Sequence, residues 1–169
     1  MQFSIKALSP EKKRTGCLVL GVWQGAKLTR AALLADRAAG GQLSEALKRG
    51  DLAGRSKSSL LLHRVAGLAA ERVLLVGLGE QNEFGETAFG DAVRTAANAL
   101  KELGAADAVL AIADLKVGRH TLAWNVRSAV LAFRDALYRF DRLKTQKRRP
   151  PPVLRALTLG VIGAAVSQQ

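Results

Sequence analysis

The sequence predicts an α/β fold: one domain built on a sheet, with helices packed on both faces. Three observations carry that expectation. Short apolar, β-prone runs alternate along the chain with longer segments of helical period. Runs such as CLVLGV and RVLLVGL are apolar at successive positions, which suits a strand covered on both faces. The 169 residues suffice for one domain, which at this size buries roughly 70% of the surface its unfolded chain exposes.

Each element follows from local pattern. Gln2 to Ala7 alternates, with Phe3 and Ile5 on one face, and predicts a strand with one side exposed. SPEKKRTG is a polar connection, and Cys17 to Val22 is a second strand, apolar enough to lie inside the sheet. Lys27 to Arg49 is rich in Ala and Leu and broken at Gly40-Gly41, which predicts two short helices, the second ending in basic residues and Gly50. GDLAGRSKSS holds the turn residues of a loop or hairpin. LLLHRV (Leu60 to Val65) and RVLLVGL (Arg72 to Leu78) are two further strands, joined by AGLAAE.

From Glu86 to Leu103, the residues Phe89, Val93, Ala96, Leu100 and Leu103 fall on one helical stripe, with Gly104 as the expected cap. Asp107 to Ile112 is a fifth strand. Leu122 to Leu143 is a longer helix striped by Val126, Val130, Phe133, Leu137 and Phe140, and Arg127, Arg134 and Arg142 lie outside the stripe. Pro150, Pro151 and Pro152 prevent any helix from continuing, and Leu157 to Ile162 is the last strand. There is no internal repeat.

Composition narrows the function classes. No apolar run approaches the roughly 18 residues of a membrane span. The single cysteine, Cys17, allows no internal disulfide. KKRTGCLVLGVWQGA has the order of a secretion signal, but its apolar run is short and a strand and turn precede it, so a cytoplasmic protein is expected. The formal net charge of +12 favours polyanions, of which nucleic acid is the commonest in that compartment.

RVLLVGLGE poses the sharpest local question, because a strand entering Gly-x-Gly can open a phosphate loop. Gly77 and Gly79 fill the first two positions of G-x-G-x-x-G, but the third falls on Asn82, and EQNEFG delays the helix. Glu80 and Glu83 would also repel a phosphate at this point. A tight turn leaving a buried strand is therefore expected.

The other candidates are weaker. His63 and His120 are far apart in sequence and belong to no metal-ligand spacing, so they are expected to be a strand and a loop residue. Cys17, in an apolar run, is expected to be unreactive. Ser56, Ser58 and Ser59 have no base paired with them by any motif. Trp23, Trp124 and Tyr138 are expected in the core or an interface, since their spacing makes no stacking platform for bases. The residues therefore predict no catalytic site and no metal site in this chain. The basic run from Arg139 supplies the candidate DNA contacts Arg142, Lys144, Lys147, Arg148 and Arg149, although cations at a helix end also complement its dipole.

Three segments together resemble one family. MQFSIKALSPEKKRTGCLVLGVW, LKRGDLAGRSKSSLLLHRVAGLAAERVLLVGLGE and ALYRFDRLKTQKR, in this order and spacing, are similar to the amino-terminal domain of bacterial leucyl aminopeptidases, the cytosol aminopeptidases. The resemblance implies a single macro-domain-like three-layer domain over residues 1–163, with a mixed sheet. Residues 164–169 would begin a linker to a carboxy-terminal catalytic domain. That second domain would hold two divalent metals, zinc or manganese, together with the peptidase signature N-T-D-A-E-G-R, which does not occur here. No cofactor is implied for this chain itself. The resemblance also implies a homo-hexamer and in some members DNA binding in recombination or transcription control, while the short apolar runs lead to the expectation of no membrane partner. Macro domains elsewhere bind ADP-ribose; the acids Glu80, Glu83 and Asp114 on the loops here argue against that ligand.

Overall fold

The computed structural model describes residues 1–143 and 153–162, without the side chains of residues 139–143. The elements in order are β1 (Gln2–Ala7), β2 (Leu18–Trp23), β3 (Lys27–Leu28), α1 (Arg30–Ala38), α2 (Gln42–Lys48), β4 (Ser59–His63), β5 (Arg72–Gly79), α3 (Glu86–Lys101), β6 (Asp107–Leu110), α4 (Leu122–Leu143) and β7 (Ala156–Val161). The strands form one mixed sheet in the order β1-β7-β6-β2-β5-β4, with the short β3 paired to β2. From β1 to β5 the neighbours along that order run parallel, while β4 is antiparallel to β5 and β3 to β2.

The continuous apolar runs are explained by strict alternation between two cores. On one face Val19, Leu74, Val76, Leu78, Leu110, Leu157 and Leu159 pack with α3 and α4 residues, including Phe89, Val93, Leu100 and Phe133. On the other, Leu18, Leu20, Val22, Val73, Leu75 and Val109 pack with α1 and α2 through Ala31, Ala32, Ala35, Leu43 and Leu47. The result is a three-layer α/β/α domain, as expected. A side chain such as Phe133, fully buried, contributes on the order of 2–3 kcal/mol by removing its surface from water.

Several local expectations are corrected. The first helix begins at Arg30 rather than Lys27, because Gly25 and Ala26 both take positive φ in a three-residue turn, Gln24 to Ala26, that folds Lys27–Leu28 back onto β2. Thr29 then caps α1, its hydroxyl accepting from the Ala32 amide. α3 ends at Lys101 with Glu102 as its cap, so Gly104 is not the left-handed stop. On α4 the fully buried line is Asn125, Ala129, Phe133 and Ala136, while Val126, Val130 and Leu137 are half-buried beside it. Phe140 lies outside the residues whose side chains are described.

Two carboxylates, the half-buried Asp107 and the buried Asp36, tie connections to the frame. Asp107, opening β6, accepts from the Thr15 hydroxyl at 2.8 Å and the Gly16 amide at 3.1 Å, fixing the entry to β2. Asp36 on α1 accepts from the amides of Leu43 at 2.8 Å and Ser44 at 3.1 Å and from the Ser44 hydroxyl. α2 starts at Gly41 with no side-chain cap of its own, so Asp36 satisfies its first amides from the preceding helix. Asp36→Ala is therefore expected to cost about 2 kcal/mol in urea unfolding, since buried amides lose a charged acceptor. Ser44→Ala, which keeps both amide bonds, should cost less than half as much.

Candidate ligand cleft at the carboxyl ends of the strands

The Gly77-Gly79 turn is structural. β5 continues its antiparallel pairing beyond β4: the Gly77 amide donates to the Ser58 carbonyl at 2.8 Å and the Gly79 amide to the Gly54 carbonyl at 2.9 Å. The amides a phosphate would need are therefore occupied by the segment Gly54–Ser58. Gly77 is required by contact, because a Cβ there would overlap the Arg55 carbonyl oxygen and the Ser58 hydroxyl. Gly79 takes φ +80, where a side chain is strained, and its carbonyl accepts from the Gln24 amide at 2.9 Å.

A cleft of about 600 Å³ opens beside this turn, at the carboxyl ends of β2, β6 and β7. This is the end at which ligands sit in open α/β sheets, because loops and helix amino termini converge there. Trp23, Arg30, Gln81, Asp114, Lys116, His120 and Asn125 line it with apolar residues from the strand ends. Asp114 accepts from the Ile162 amide at 2.8 Å, joining the β6 exit to the end of β7. Asn125, 3% exposed, donates to the carbonyls of Ala113 at 2.9 Å and Leu115 at 2.7 Å. Its Oδ1 has no partner among the described residues, and a buried acceptor left so costs about 1–3 kcal/mol.

The rim is braced by His120, whose Nε2 lies 2.7 Å from Glu86 Oε1 at the start of α3. Its ring stacks on Trp124 with centroids 3.7 Å apart and planes 10° from parallel. Trp124 meets the buried Phe89 ring at 6.1 Å.

His63 and His120 fall where the sequence placed them, at an exposed strand end and in a loop, but His120 is joined to Glu86 and Trp124, which sequence spacing did not indicate. Cys17 is fully buried, and burial pushes its thiol up to about 12, so it is protonated and a poor nucleophile at neutral pH. Ser58 bonds the Arg55 carbonyl, Ser59 opens β4, and neither it nor the exposed Ser56 is paired with a base among the described residues. Trp23 is a core residue, edge-on to Phe84 at 4.9 Å, whereas Tyr138 is 62% exposed and outside the core. Arg142, Lys144, Lys147, Arg148 and Arg149 lie outside the described side chains. Among the described residues no three His, Cys, Asp or Glu side chains gather as a metal site, and no helix is long and apolar enough to cross a membrane. Asn125 was missed, although its spacing to Ala129, Phe133 and Ala136 places a polar residue on a buried helical line.

Fold and cleft first define a class, the macrodomain-type α/β/α domain. The macrodomain of Mycobacterium tuberculosis DarG superposes with a TM-score of 0.64 over 94% of this chain and 97% of that one, at 13% identity. A tomato leucine aminopeptidase mutant gives a TM-score of 0.74 over 99% of this chain and 34% of that one, at 21% identity. The family model described as "Cytosol aminopeptidase family, N-terminal domain" matches residues 19–147. The "Probable cytosol aminopeptidase" of Dechloromonas aromatica is 44% identical over 161 residues, covering 95% of this chain and 32% of the relative. The chain belongs to the cytosol aminopeptidase family, in which it corresponds to the amino-terminal domain. It spans about a third of the length of the curated relatives it matches.

Contact between Gly54–Ser58 and β5 makes Gly77 the least replaceable residue of the turn. Gly77→Ala is expected to destabilise the chain by about 3 kcal/mol in urea unfolding, the scale of an overpacked buried site. A change below about 0.5 kcal/mol would mean that the segment does not lie against the strand.

Proposed function

We propose that this chain is the non-catalytic amino-terminal domain of a metal-dependent leucyl aminopeptidase, a longer protein that removes amino-terminal residues, preferably leucine, from peptides. The observation that carries this reading is the match of residues 19–147 to the amino-terminal domain of the family. Residues 1–163 make up the domain, whose last paired strand ends at Val161. Catalysis belongs to a carboxy-terminal domain in which two divalent metals, zinc or manganese, activate water and polarise the scissile carbonyl. The amino-terminal domain serves assembly of a cytoplasmic homo-hexamer or access to the active site. With zinc or manganese added, the 169-residue chain is expected to leave a leucine amide intact while the longer parent hydrolyses it. Metal-dependent turnover by the 169 residues alone would overturn the reading.

The net charge of +12 favours a second reading, a DNA-binding module of a bifunctional aminopeptidase. Arg142, Lys144, Lys147, Arg148 and Arg149 are its proposed phosphate contacts. With Arg139, the sixth cation of this basic run, they would neutralise six phosphates, which gives a slope of log K against log salt of about −5. Replacing Lys147, Arg148 and Arg149 by alanine should flatten it by about 3. No binding to duplex DNA at about 50 mM salt, where screening is weak, rules this reading out.

A further inference from the structure

We infer that the cleft at the carboxyl ends of β2, β6 and β7 binds a free aliphatic α-amino acid, the kind of product an aminopeptidase releases, so that the domain senses it. This rests on the family reading above for the link to product, but on the cleft alone for the binding.

The cleft offers two polar regions of opposite preference. One is suited to a carboxylate. α1, a nine-residue helix, presents its amino terminus through Thr29, Arg30 and Ala31. Thr29 satisfies the Ala32 amide, while the Arg30 and Ala31 amides have no partner among the described residues. Such amides and the positive end of the helix dipole favour an anion. Arg30 and Lys116 line the same cleft, and neither is in an ion pair among the described residues.

The other region is suited to an N–H donor. Asn125 spends both amide hydrogens on the carbonyls of Ala113 and Leu115, which leaves Oδ1 as a buried acceptor without a donor among the described residues. Asp114, next to those carbonyls, uses one oxygen on the Ile162 amide, and its other oxygen has no partner among the described residues. An ammonium group is the small donor that suits a carboxylate beside a neutral acceptor. Trp23, Leu115, Leu122, Val161 and Ile162 supply the apolar part of the lining. A ligand with a carboxylate, an ammonium and an aliphatic arm satisfies all three surfaces. A simple anion leaves the acceptors unpaired, and a simple amine leaves the cations and helix end unused. The volume, about 600 Å³, is in the range of small-molecule sites.

Three probes separate these possibilities on the 169-residue chain: L-leucine, leucinamide without the carboxylate, and 4-methylpentanoate without the ammonium. Calorimetry is expected to show L-leucine binding, with each truncated probe at least tenfold weaker. Arg30→Ala and Lys116→Ala should each weaken L-leucine at least fivefold with the melting temperature of the unliganded protein unchanged. Asn125→Leu, of similar size but without the acceptor, should weaken L-leucine at least fivefold once its melting temperature shows that it is folded. No L-leucine binding at 10 mM, equal binding of 4-methylpentanoate, or binding of inorganic phosphate in place of leucine would overturn the inference. Because nothing here requires hydrolysis, a chain silent to leucine whose longer parent still cleaves leucine amide removes the sensor and leaves the family reading standing.

Discussion

The structure depends on β2 being enclosed on both edges and both faces. It pairs with β5 on one side and with β6 and β3 on the other, and Leu18, Val19, Leu20 and Val22 have no exposed surface. A strand so placed can carry no polar side chain without leaving it unsatisfied, so its sequence has to be apolar at every position. Both helical layers follow, since each face of the strand needs its own cover. The consequence for function is equally direct. Polar groups are expelled to the strand ends, and the carboxyl end, where α1 and the loops after β5 and β6 converge, is where the described cleft lies.

The second constraint is the close approach of Gly54–Ser58 to the end of β5. Using the Gly77 and Gly79 amides to hold that segment extends the edge of the sheet, but it removes the donors a phosphate loop depends on. One stretch of backbone cannot serve both uses. A glycine pair after a strand is thus compatible with two opposite outcomes, an open anion cradle or a strand edge zipped shut, and here the second prevails.

Much of the fold was legible because its determinants are local. The alternation in β1, the apolar runs of β2 and β5, and the stripe of α3 each lie within one segment, so periodicity finds them. RVLLVGLGE was legible as a strand with an exit turn, from the missing third glycine and from Glu80 and Glu83. The reason the loop is closed was not, because Gly54 and Ser58 reach β5 from another part of the chain. The hairpin onto β3 was missed for a different reason: Ala26 at positive φ is imposed by the turn, while its residue type reads as helix former. On α4, small Ala129 and Ala136 mark the buried line better than the larger Val126 and Val130, since close packing against α3 favours small side chains. Choosing the larger residues displaced the stripe and hid Asn125.

Asn125 sharpens what the cleft implies. Its two donated bonds to Ala113 and Leu115 account for a polar residue on a buried helical line, because they hold the β6 exit against α4. They do not account for the other half of the amide, whose Oδ1 is buried without a donor among the described residues. A loop held only for stability could be tied by groups that leave no orphan acceptor, whereas a wall that receives a ligand keeps an acceptor in reserve and recovers its cost on binding. The bracing around it fits that use. His120, Trp124 and Glu86 join the starts of α3 and α4 over the buried Phe89, so the rim is fixed before any ligand arrives and little ordering cost falls on binding. Fold alone assigns no ligand to a domain of this type; what points to one here is an acceptor, a helix end and two cations in one cleft, none with a partner among the described residues.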